Sequence, residues 1–262
     1  MENERLYEIK PNNRGTLMKI VRYRTSMDID IEFLDDFHYV KKNQTYSNFI
    51  RGQIKNPYDR TLFGVGYVGV GEHLTGCKKD GMTEEYHCWQ NMLERCYCKK
   101  LKELHPSYYD ISTVCNEWHN FQIFASWHKE HRYPVNERLH LDKDILFVGN
   151  KIYSPTTCLL VPQRLNVMFI NQTNNRGLPN GIVKCNKGYL AKYNGKELGI
   201  YPTVEDAYVV YSNKKKEEIV KIANEYKGII PEYVYDAILA YQFDIRNDKN
   251  YKVDKISTDC PF

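Results

Sequence analysis

The first quarter of the chain alternates apolar and polar positions in a way that predicts β-structure. Over residues 27–33, apolar side chains alternate with acidic ones, which is the period-two pattern of a half-buried strand. A second strand is predicted over residues 65–70, after a turn at residues 56–59. Residues 15–75 are therefore expected to be rich in β-structure.

Two stretches in the middle of the chain carry large apolar residues at helical spacing. The first begins after Thr83, a residue type suited to the N-terminus of a helix. Both stretches are predicted to be amphipathic helices whose apolar stripe packs in the core. The stripe positions are Tyr86, Trp89, Met92, Leu93 and Cys96 in the first stretch and Trp118, Phe121, Phe124, Ala125 and Trp127 in the second.

Residues 139–170 predict a strand, a turn, a second strand and a helix. The first strand is expected to contain Leu139, Leu141 and residues 145–148, and residues 149–151 are expected to form the turn. Residues 158–161 predict the second strand. Pro162 then stands where a proline can open a helix.

The last third predicts a small sheet followed by helices. A turn-rich segment precedes three short β-segments within residues 181–201, and Asn194-Gly195 is a strong hairpin signal. Thr203 begins a capping-box-like helix start, and a last helix is predicted over residues 232–241. The chain is thus predicted to be α+β. Its predicted domains are a β-rich region at residues 1–80, a core at 81–170 and a three-stranded sheet with helices at 171–262.

Composition and charge narrow the class of protein only slightly. The net charge of +4 neither requires nor excludes a nucleic-acid partner. The polar start, and the absence of an apolar run of about 18 residues, predict neither a secretory leader nor a membrane span. Eight cysteines in such a chain are expected to be free thiols in a reducing, cytoplasmic setting.

Three glycines in the predicted β-rich region match a dinucleotide-binding pattern. Gly64, Gly66 and Gly69 satisfy G-x-G-x-x-G, but such a site needs a helix directly after the glycines. Residues 73–81 contain further glycines and no amphipathic pattern. Close packing between strands is therefore the favoured interpretation of these glycines.

The middle third carries an ordered series of motifs over about residues 86–169. The motifs are Trp89-x-x-Met92-x-x-Arg95-Cys96, Tyr109, Val114-Cys115-x-x-Trp118-x-x-Phe121-x-x-Phe124, Leu141-Asp142-Lys143-Asp144-Ile145, Gly149-Asn150-Lys151-x-Tyr153-Ser154-Pro155-x-x-Cys158 and Val161-Pro162-Gln163-x-x-Asn166. Their order and spacing resemble those of phage-borne proteins of the HNH endonuclease family. Residues 181–207 are likewise similar to an AP2 domain, a three-stranded sheet against one helix whose sheet reads a DNA groove.

The resemblance implies a ββα-metal nuclease core that uses one Mg²⁺ or Mn²⁺ ion. Asp142 matches the acidic metal ligand, and Asn166 matches the ligand on the helix. Asn150 falls at the position of the asparagine that orients the general base. No structural zinc is expected, because the C-x-x-C pairs typical of such a site are absent.

The residue at the position of the general base departs from the family. Lys143 stands where the histidine is expected, and a lysine flanked by two carboxylates is expected to keep its proton. His140 and Asp144 are the alternative bases, because period-two alternation would place them with Asp142 on one face of the strand. The alternative interpretation of this segment is a solvated turn with surface charges.

The AP2 resemblance implies double-stranded DNA as the partner. Basic and aromatic residues on or beside the predicted sheet would supply phosphate charge and a stacking surface. Residues 214–216, three consecutive lysines, would extend that positive surface. The predicted DNA-binding residues are Arg176, Lys184, Lys187, Tyr189, Lys192 and Lys196.

Two functions remain open at this point. The first is a homing-type DNA endonuclease that acts in the cytoplasm of a bacterial host. The second is a catalytically inactive derivative of such a nuclease, either a phage regulator or an inhibitor of host defence with a host or phage protein as partner. Lys143 favours the second function, whereas Asp142 and Asn166 favour the first. The sequence leaves the oligomeric state undetermined.

Overall fold

The computed structural model describes residues 5–100 and 112–251, so Tyr109 lies outside the described residues. The chain is a mixed α+β protein with several small sheets, as predicted. It divides into two compact units, Met1–Ser126 and Trp127–Phe262. This division falls within the predicted middle domain, and the predicted domain limits stay predictions.

The first unit is built on a four-stranded antiparallel sheet with a short helix, α1 (Tyr46–Ile50), after its last strand. The strands follow one another in the order β1 (Ile9–Pro11), β2 (Leu17–Thr25), β3 (Asp28–Phe33) and β4 (Val40–Gln44). β3 confirms the strand predicted from the alternation at residues 27–33. The core on this sheet consists of the fully buried side chains Met18, Ile20, Ile29, Ile31, Phe33 and Phe49.

Both predicted aromatic helices are present, but Trp118 of the second stripe lies in a separate 3-10 turn (Asn116–His119) before the helix. They are α2 (Glu84–Tyr97) and α3 (Phe121–His131), and the division between the two units falls within α3. Thr83 caps α2, because its hydroxyl accepts a hydrogen bond from the N–H of Tyr86 at 3.3 Å. Trp89 is fully buried, and its Nε1 donates to the carbonyl of Trp118 at 2.7 Å. The remaining short strands of this unit are β5 (Gly76–Cys77), β6 (Gly81–Met82) and β7 (Thr113–Val114).

The strand predicted over residues 65–70 is wrong. This segment makes only isolated β-bridges, and Gly64 and Gly69 have φ values of +77° and +72°, which interrupt an extended strand. At Gly66 a Cβ atom would lie 2.4 Å from Leu93 and 3.1 Å from Trp89. Gly66 therefore allows close packing against α2 rather than between strands, and no helix begins directly after the three glycines.

The second unit contains the predicted strand–strand–helix order. β8 (Leu139–Asp142) pairs antiparallel with β10 (Leu159–Pro162), β9 (Ile152–Tyr153) lies between them in sequence, and α4 (Gln163–Phe169) follows β10 directly. The predicted extension of the first strand through residues 145–148 is wrong. Oδ1 of Asp142 accepts hydrogen bonds from the N–H groups of Asp144 and Ile145, both at 2.8 Å, and this turn ends the strand.

The predicted three-stranded sheet with helices is also present in the second unit. Asn194 and Gly195 connect its last two strands with φ values of +47° and +79°, as a two-residue hairpin turn requires. The helix α5 (Val204–Glu225) packs on the sheet and encloses the buried Ile182, Ala191 and Tyr211. The other elements are β11 (Ile182–Cys185), β12 (Gly188–Tyr193), β13 (Lys196–Tyr201), α6 (Glu232–Ala240) and a 3-10 turn at Ile245–Asn247.

The helix α5 also contacts α4. At its C-terminal end Glu225 forms an ion pair with Arg164 of α4 at 2.6 Å. The hydroxyl of Tyr226, the residue after α5, donates to the carboxylate of Glu137. Among the residues that the structure describes, no helix is both long and apolar enough to cross a membrane.

Candidate metal and nucleic-acid site

The strand β8 and the helix α4 carry three polar side chains that bear on the predicted metal site. His140 and Asp142 are two residues apart on β8, so their side chains share a face, and both are half-buried. Nδ2 of Asn166 lies 3.3 Å from Nδ1 of His140. The buried Leu139 and Leu141 lie on the opposite face.

Asp142 is held in place by the backbone that follows it. Its Oδ1 accepts the two backbone N–H groups that end the strand. Burial, and secondly the negative charge of Asp144, raise the pKa of Asp142 to about 6. A carboxylate that is costly to ionise in its folded surroundings is one that a bound cation would stabilise.

Asn166 carries an oxygen whose hydrogen-bonding capacity is unused. Its Oδ1 is buried and has no hydrogen-bond partner among the residues that the structure describes. Buried polar atoms are nearly always satisfied, and exceptions often mark a bound water or ion. The free oxygen and the carboxylate of Asp142 are donors of the type that Mg²⁺ and Mn²⁺ prefer.

Lys143, at the position of the expected general base, is a buried structural residue. Its side chain is 10% exposed, and Nζ donates to both carboxylate oxygens of Asp144 at 2.8 and 2.9 Å and to the carbonyl of Asn150 at 2.8 Å. Nζ also lies 5.7 Å from the centre of the Tyr153 ring. A lysine ammonium has three hydrogens, and all three have acceptors here.

The side chain of Asn150 holds the loop after Lys143 by hydrogen bonds to the backbone. Its Nδ2 donates to the carbonyls of Lys143 and Ile152, both at 2.8 Å, and its Oδ1 accepts the N–H of Ile152 at 3.1 Å. Asn150 thus orients the backbone of the residue at the base position. This contact matches the role that the resemblance implies, although the side chain it positions is a lysine.

The predicted placement of Asp144 on the strand face with His140 is wrong. Asp144 lies beyond the end of β8, because the chain turns at Asp142. Both of its carboxylate oxygens accept hydrogen bonds from Lys143. The structure therefore brings Asn166 to His140, with Asp142 on the same face of β8 as His140, and it places Asp144 in the loop that is held by Lys143 and Asn150.

Two observations bear on which protein ligands a metal ion would have at this site. Within residues 5–100 and 112–251, no three His, Cys, Asp or Glu side chains are grouped so that they could hold an ion. Two carboxylate or amide oxygens are nonetheless a sufficient protein contribution for Mg²⁺, which keeps waters and binds phosphate oxygens. The neighbouring Cys158 is a buried free thiol, and burial raises its pKa far above the ordinary value.

Tyr241 is a neighbour of the site that no sequence pattern predicts. Burial, and secondly the negative charges of Asp144 and Asp142, raise the pKa of its hydroxyl to about 12. Its ring meets that of Phe169 of α4 edge to face, with 4.9 Å between the ring centres. Tyr241 follows α6, far along the chain from β8, and no motif or spacing links the two segments.

The three-stranded sheet distributes the predicted DNA-binding residues over both of its faces. Tyr189 packs against the core beneath α5, so its ring lies on the helix side of the sheet. Lys184 pairs with Tyr189 across the strands and shares that face, although Lys184 is exposed at the edge of the sheet. Lys192 is on the opposite face and forms an ion pair with Glu197 at 3.1 Å.

The face of the sheet away from α5 has an apolar centre. The cross-strand neighbours Val183, Leu190 and Ile200 form a row on it, and Ile200 is 47% exposed. The remaining predicted basic residues, Arg176, Lys187 and Lys196, are exposed in the preceding linker, in a turn and at the start of β13. Among the predicted basic residues, the strand register places Lys192 on this face.

The three consecutive lysines of α5 do not form a free positive surface. Lys214 is paired with Glu217 at 2.9 Å and with Glu218 at 3.2 Å. Nζ of Lys215 lies 5.0 Å from the centre of the Phe243 ring. Lys216 donates to three carbonyls at the C-terminal end of α6, at 2.6 to 3.0 Å, and so acts as a cap for that helix.

Comparison with known proteins finds no matching family model, no similar curated protein and no similar solved structure. The relation to the HNH and AP2 families thus stays a resemblance of motif order.

Proposed function

We propose that this chain is a slow, metal-dependent DNA endonuclease with an HNH-like core and an AP2-like DNA-binding sheet. The observation that carries the proposal is the contact of Asn166 with His140, whose strand face also carries Asp142, with Oδ1 of Asn166 unsatisfied among the described residues. Asp142 and Asn166 would hold one Mg²⁺ or Mn²⁺ ion. When bound, such an ion stabilises the negative charge that develops on the phosphate and the leaving oxygen.

The contact between Asn166 and His140 determines what the histidine can do. If Oδ1 of Asn166 serves the ion, Nδ2 faces Nδ1 of His140, and that ring nitrogen has to accept the hydrogen bond. The hydrogen of the neutral imidazole is then on Nε2. A neutral imidazole with its hydrogen on Nε2 cannot take a proton at that atom, so in this arrangement His140 would not act as the general base.

The core therefore has no proton acceptor of its own at the expected place. Lys143 donates all three of its hydrogens, and Asp144 accepts from Lys143 with both oxygens. The attacking water would lose its proton to solvent. A positioned base contributes roughly 10²- to 10⁴-fold to such a reaction, so turnover is expected to be slow.

A nicking assay tests the proposal directly. Supercoiled plasmid and phage DNA, incubated with the full chain and Mg²⁺ or Mn²⁺, should be nicked slowly, and EDTA should stop the reaction. The rate should rise steadily with pH, because solvent hydroxide does the work of the missing base. A rate that does not respond to EDTA would exclude a metal-dependent core.

The hydrogen bonds of Lys143 favour a second candidate function, DNA binding without turnover by a protein that acts as a regulator or as an inhibitor of host defence. In that case Lys143 has replaced the base permanently, and the core serves as a scaffold. The Lys143→His variant separates the two functions. A gain in nicking would indicate a nuclease core that lacks only its base, whereas retained DNA binding without cleavage by either protein supports the second function.

DNA binding by the sheet should depend strongly on salt. Changing Lys184, Lys192 and Lys196 together to glutamine should weaken binding and lower the slope of log K against log salt by about 2 to 3, since each phosphate contact contributes about 0.9. Lys214→Gln is the matched control, because Lys214 lies on α5 and is paired with Glu217 and Glu218, and it should change the slope less. Equal slopes for the triple variant and the wild type would contradict this interface.

A further inference from the structure

The first unit contains a cavity of about 860 Å³ that no motif of the sequence predicts. It lies between the β1–β2 turn, the strand β4 and residues 52–61, with Val68 and Val70 on one side. Sites for small molecules commonly have volumes of roughly 300–1,000 Å³. The cavity is therefore large enough for a ligand with a ring system and an attached charged group.

Three cationic side chains from three different segments line this cavity. Arg14 lies in the β1–β2 turn, Lys41 on β4 and Lys55 in the segment after α1, whereas Asp59 is the one carboxylate in the lining. The lining thus has an excess of two positive charges. Like charges repel, so segments that bring three cations to one cavity suit an anionic occupant.

Lys41 is the most informative of the three cations. Its Nζ donates to the backbone carbonyl of Lys55 at 3.0 Å, which is the one acceptor that the described residues supply to it. An ammonium group has three hydrogens, so two remain for a ligand. Burial, and secondly the charge of Lys55, lower the pKa of Lys41. An anion beside Lys41 would relieve both effects.

A hydrogen-bond network fixes the turn that carries Arg14. The buried Asn12 accepts the N–H groups of Arg14 and Thr16 at 2.8 and 3.0 Å, and its Nδ2 donates to Asp59 at 2.8 Å. The hydroxyl of Thr16 donates to the other oxygen of Asp59 at 2.5 Å. Asp59 is thus used to hold the turn, which leaves the cations as the charged groups available to a ligand.

The rest of the lining is apolar or amide. Ile54, Val68 and Val70 supply aliphatic surface, and Val70 is 53% exposed. The ring of Tyr39 also lines the cavity and is stacked on Phe33, with 6.4 Å between the ring centres. Gln53 adds an exposed amide that can both donate and accept hydrogen bonds.

We propose that this cavity binds a phosphate-bearing ligand of nucleotide size, with its phosphate at Arg14, Lys41 and Lys55 and its ring on the aliphatic side. The excess of two positive charges matches a phosphate monoester, which carries about −1.5 to −2 charges at neutral pH. Arginine and lysine are the side chains that bind phosphate oxygens by charge-assisted hydrogen bonds. None of the three glycines at residues 64–69 lines the cavity, although Val68 between them does, and the site does not depend on the proposed nuclease activity.

The nucleotide can be free or can be an unpaired unit of a strand, and the experiment distinguishes these sources. Binding to the full chain is measured by calorimetry with AMP, ATP, adenosine, inorganic phosphate and a 5′-phosphorylated single-stranded oligonucleotide. AMP or ATP should bind more tightly than adenosine and phosphate alone. If the oligonucleotide binds and the mononucleotides do not, the source is a strand, and the site is still confirmed.

Variants locate the binding in the cavity. Lys41→Gln should weaken binding about tenfold, as expected for the loss of one charge-assisted hydrogen bond. Lys42→Gln, the exposed neighbour on β4 that does not line the cavity, should bind as the wild type does. Val70→Trp keeps every charge and should block the cavity from its exposed edge.

Two results would overturn the proposal. The first is that the wild type binds none of these compounds at millimolar concentration. The second is equal binding by wild type, Lys41→Gln and Val70→Trp, because nucleotides would then bind elsewhere. Thermal unfolding of each variant shows whether it is folded, and Val70→Trp provides the test if Lys41→Gln is not.

Discussion

The Asp142→Asn variant is expected to lose metal-dependent nicking while its fold is preserved. Asparagine keeps the oxygen that accepts the N–H groups of Asp144 and Ile145, so the turn at the end of β8 can form as before. It removes the negative charge that would hold the ion. Even residues that only support metal ligands contribute about 10- to 100-fold to affinity or activity, so a loss of about 100-fold or more is expected.

The variant Asp142→Asn should not lower the stability of the fold, in contrast to its effect on nicking. The pKa of Asp142 is about 6 in the folded chain and is above its ordinary value of 3.8, so the folded state favours the proton. The ionised carboxylate therefore reduces stability increasingly from about pH 4 to pH 6, and by a constant amount above that. Without metal at pH 7, the variant should unfold at the same temperature as the wild type or higher.

Asp236→Asn provides the matched control for this variant. Asp236 is exposed on α6 in the same unit, so its replacement removes one negative charge without affecting the site. Nicking rates and EDTA sensitivity are compared among the three proteins. A wild type whose nicking requires metal, together with an Asp142→Asn variant of equal activity, would contradict the assignment of Asp142 as a ligand.

Lys143→Met should destabilise the second unit by about 2 kcal/mol. This value lies within the range for losing hydrogen bonds to charged groups, and the pair of Lys143 and Asp144 is partly exposed. Methionine keeps most of the side-chain volume but leaves the carbonyl of Asn150 and the carboxylate of Asp144 without their donor. For a chain of this size the loss corresponds to a drop of about 4–8 °C in the unfolding temperature.

The control for this variant is Lys151→Met in the same loop, where the lysine is exposed. The control should unfold within about 2 °C of the wild type, since exposed substitutions usually change stability by less than about 0.5 kcal/mol. The unfolding temperatures of the two variants and the wild type are compared by calorimetric scans at one pH. If they shift equally, the ammonium of Lys143 does not hold the loop.

Local patterns in the sequence identify elements here but not their ends. The alternation over residues 27–33 and the helical stripe around Trp89 both predict elements that are present. The strand β8 ends earlier than its apolar pattern, because hydrogen bonds from one carboxylate turn the chain. Such competition between a side chain and the backbone has no periodicity and is not visible in a hydropathy pattern.

The candidate site could be predicted from the sequence only in part, because some of its contacts depend on how distant segments pack together. His140 and Asp142 share a face because of strand alternation, and Asn166 reaches His140 because its helix directly follows β10, the partner strand of β8. The buried state of Lys143 and the proximity of Tyr241 depend on which segments pack together. The face on which Tyr189 lies depends on strand register, and a shift of one residue would reverse it.

The ion pair and the hydrogen bond at the end of α5 limit how this protein could be recombined. A gene fusion that joins a new DNA-binding sheet at residue 171 would leave Arg164 and Glu137 without Glu225 and Tyr226. The exposed pair between Arg164 and Glu225 matters little by itself, but α4 would also lose its contact with α5. Exchange of target specificity would therefore be better served by altering residues of the sheet than by replacing the whole C-terminal segment.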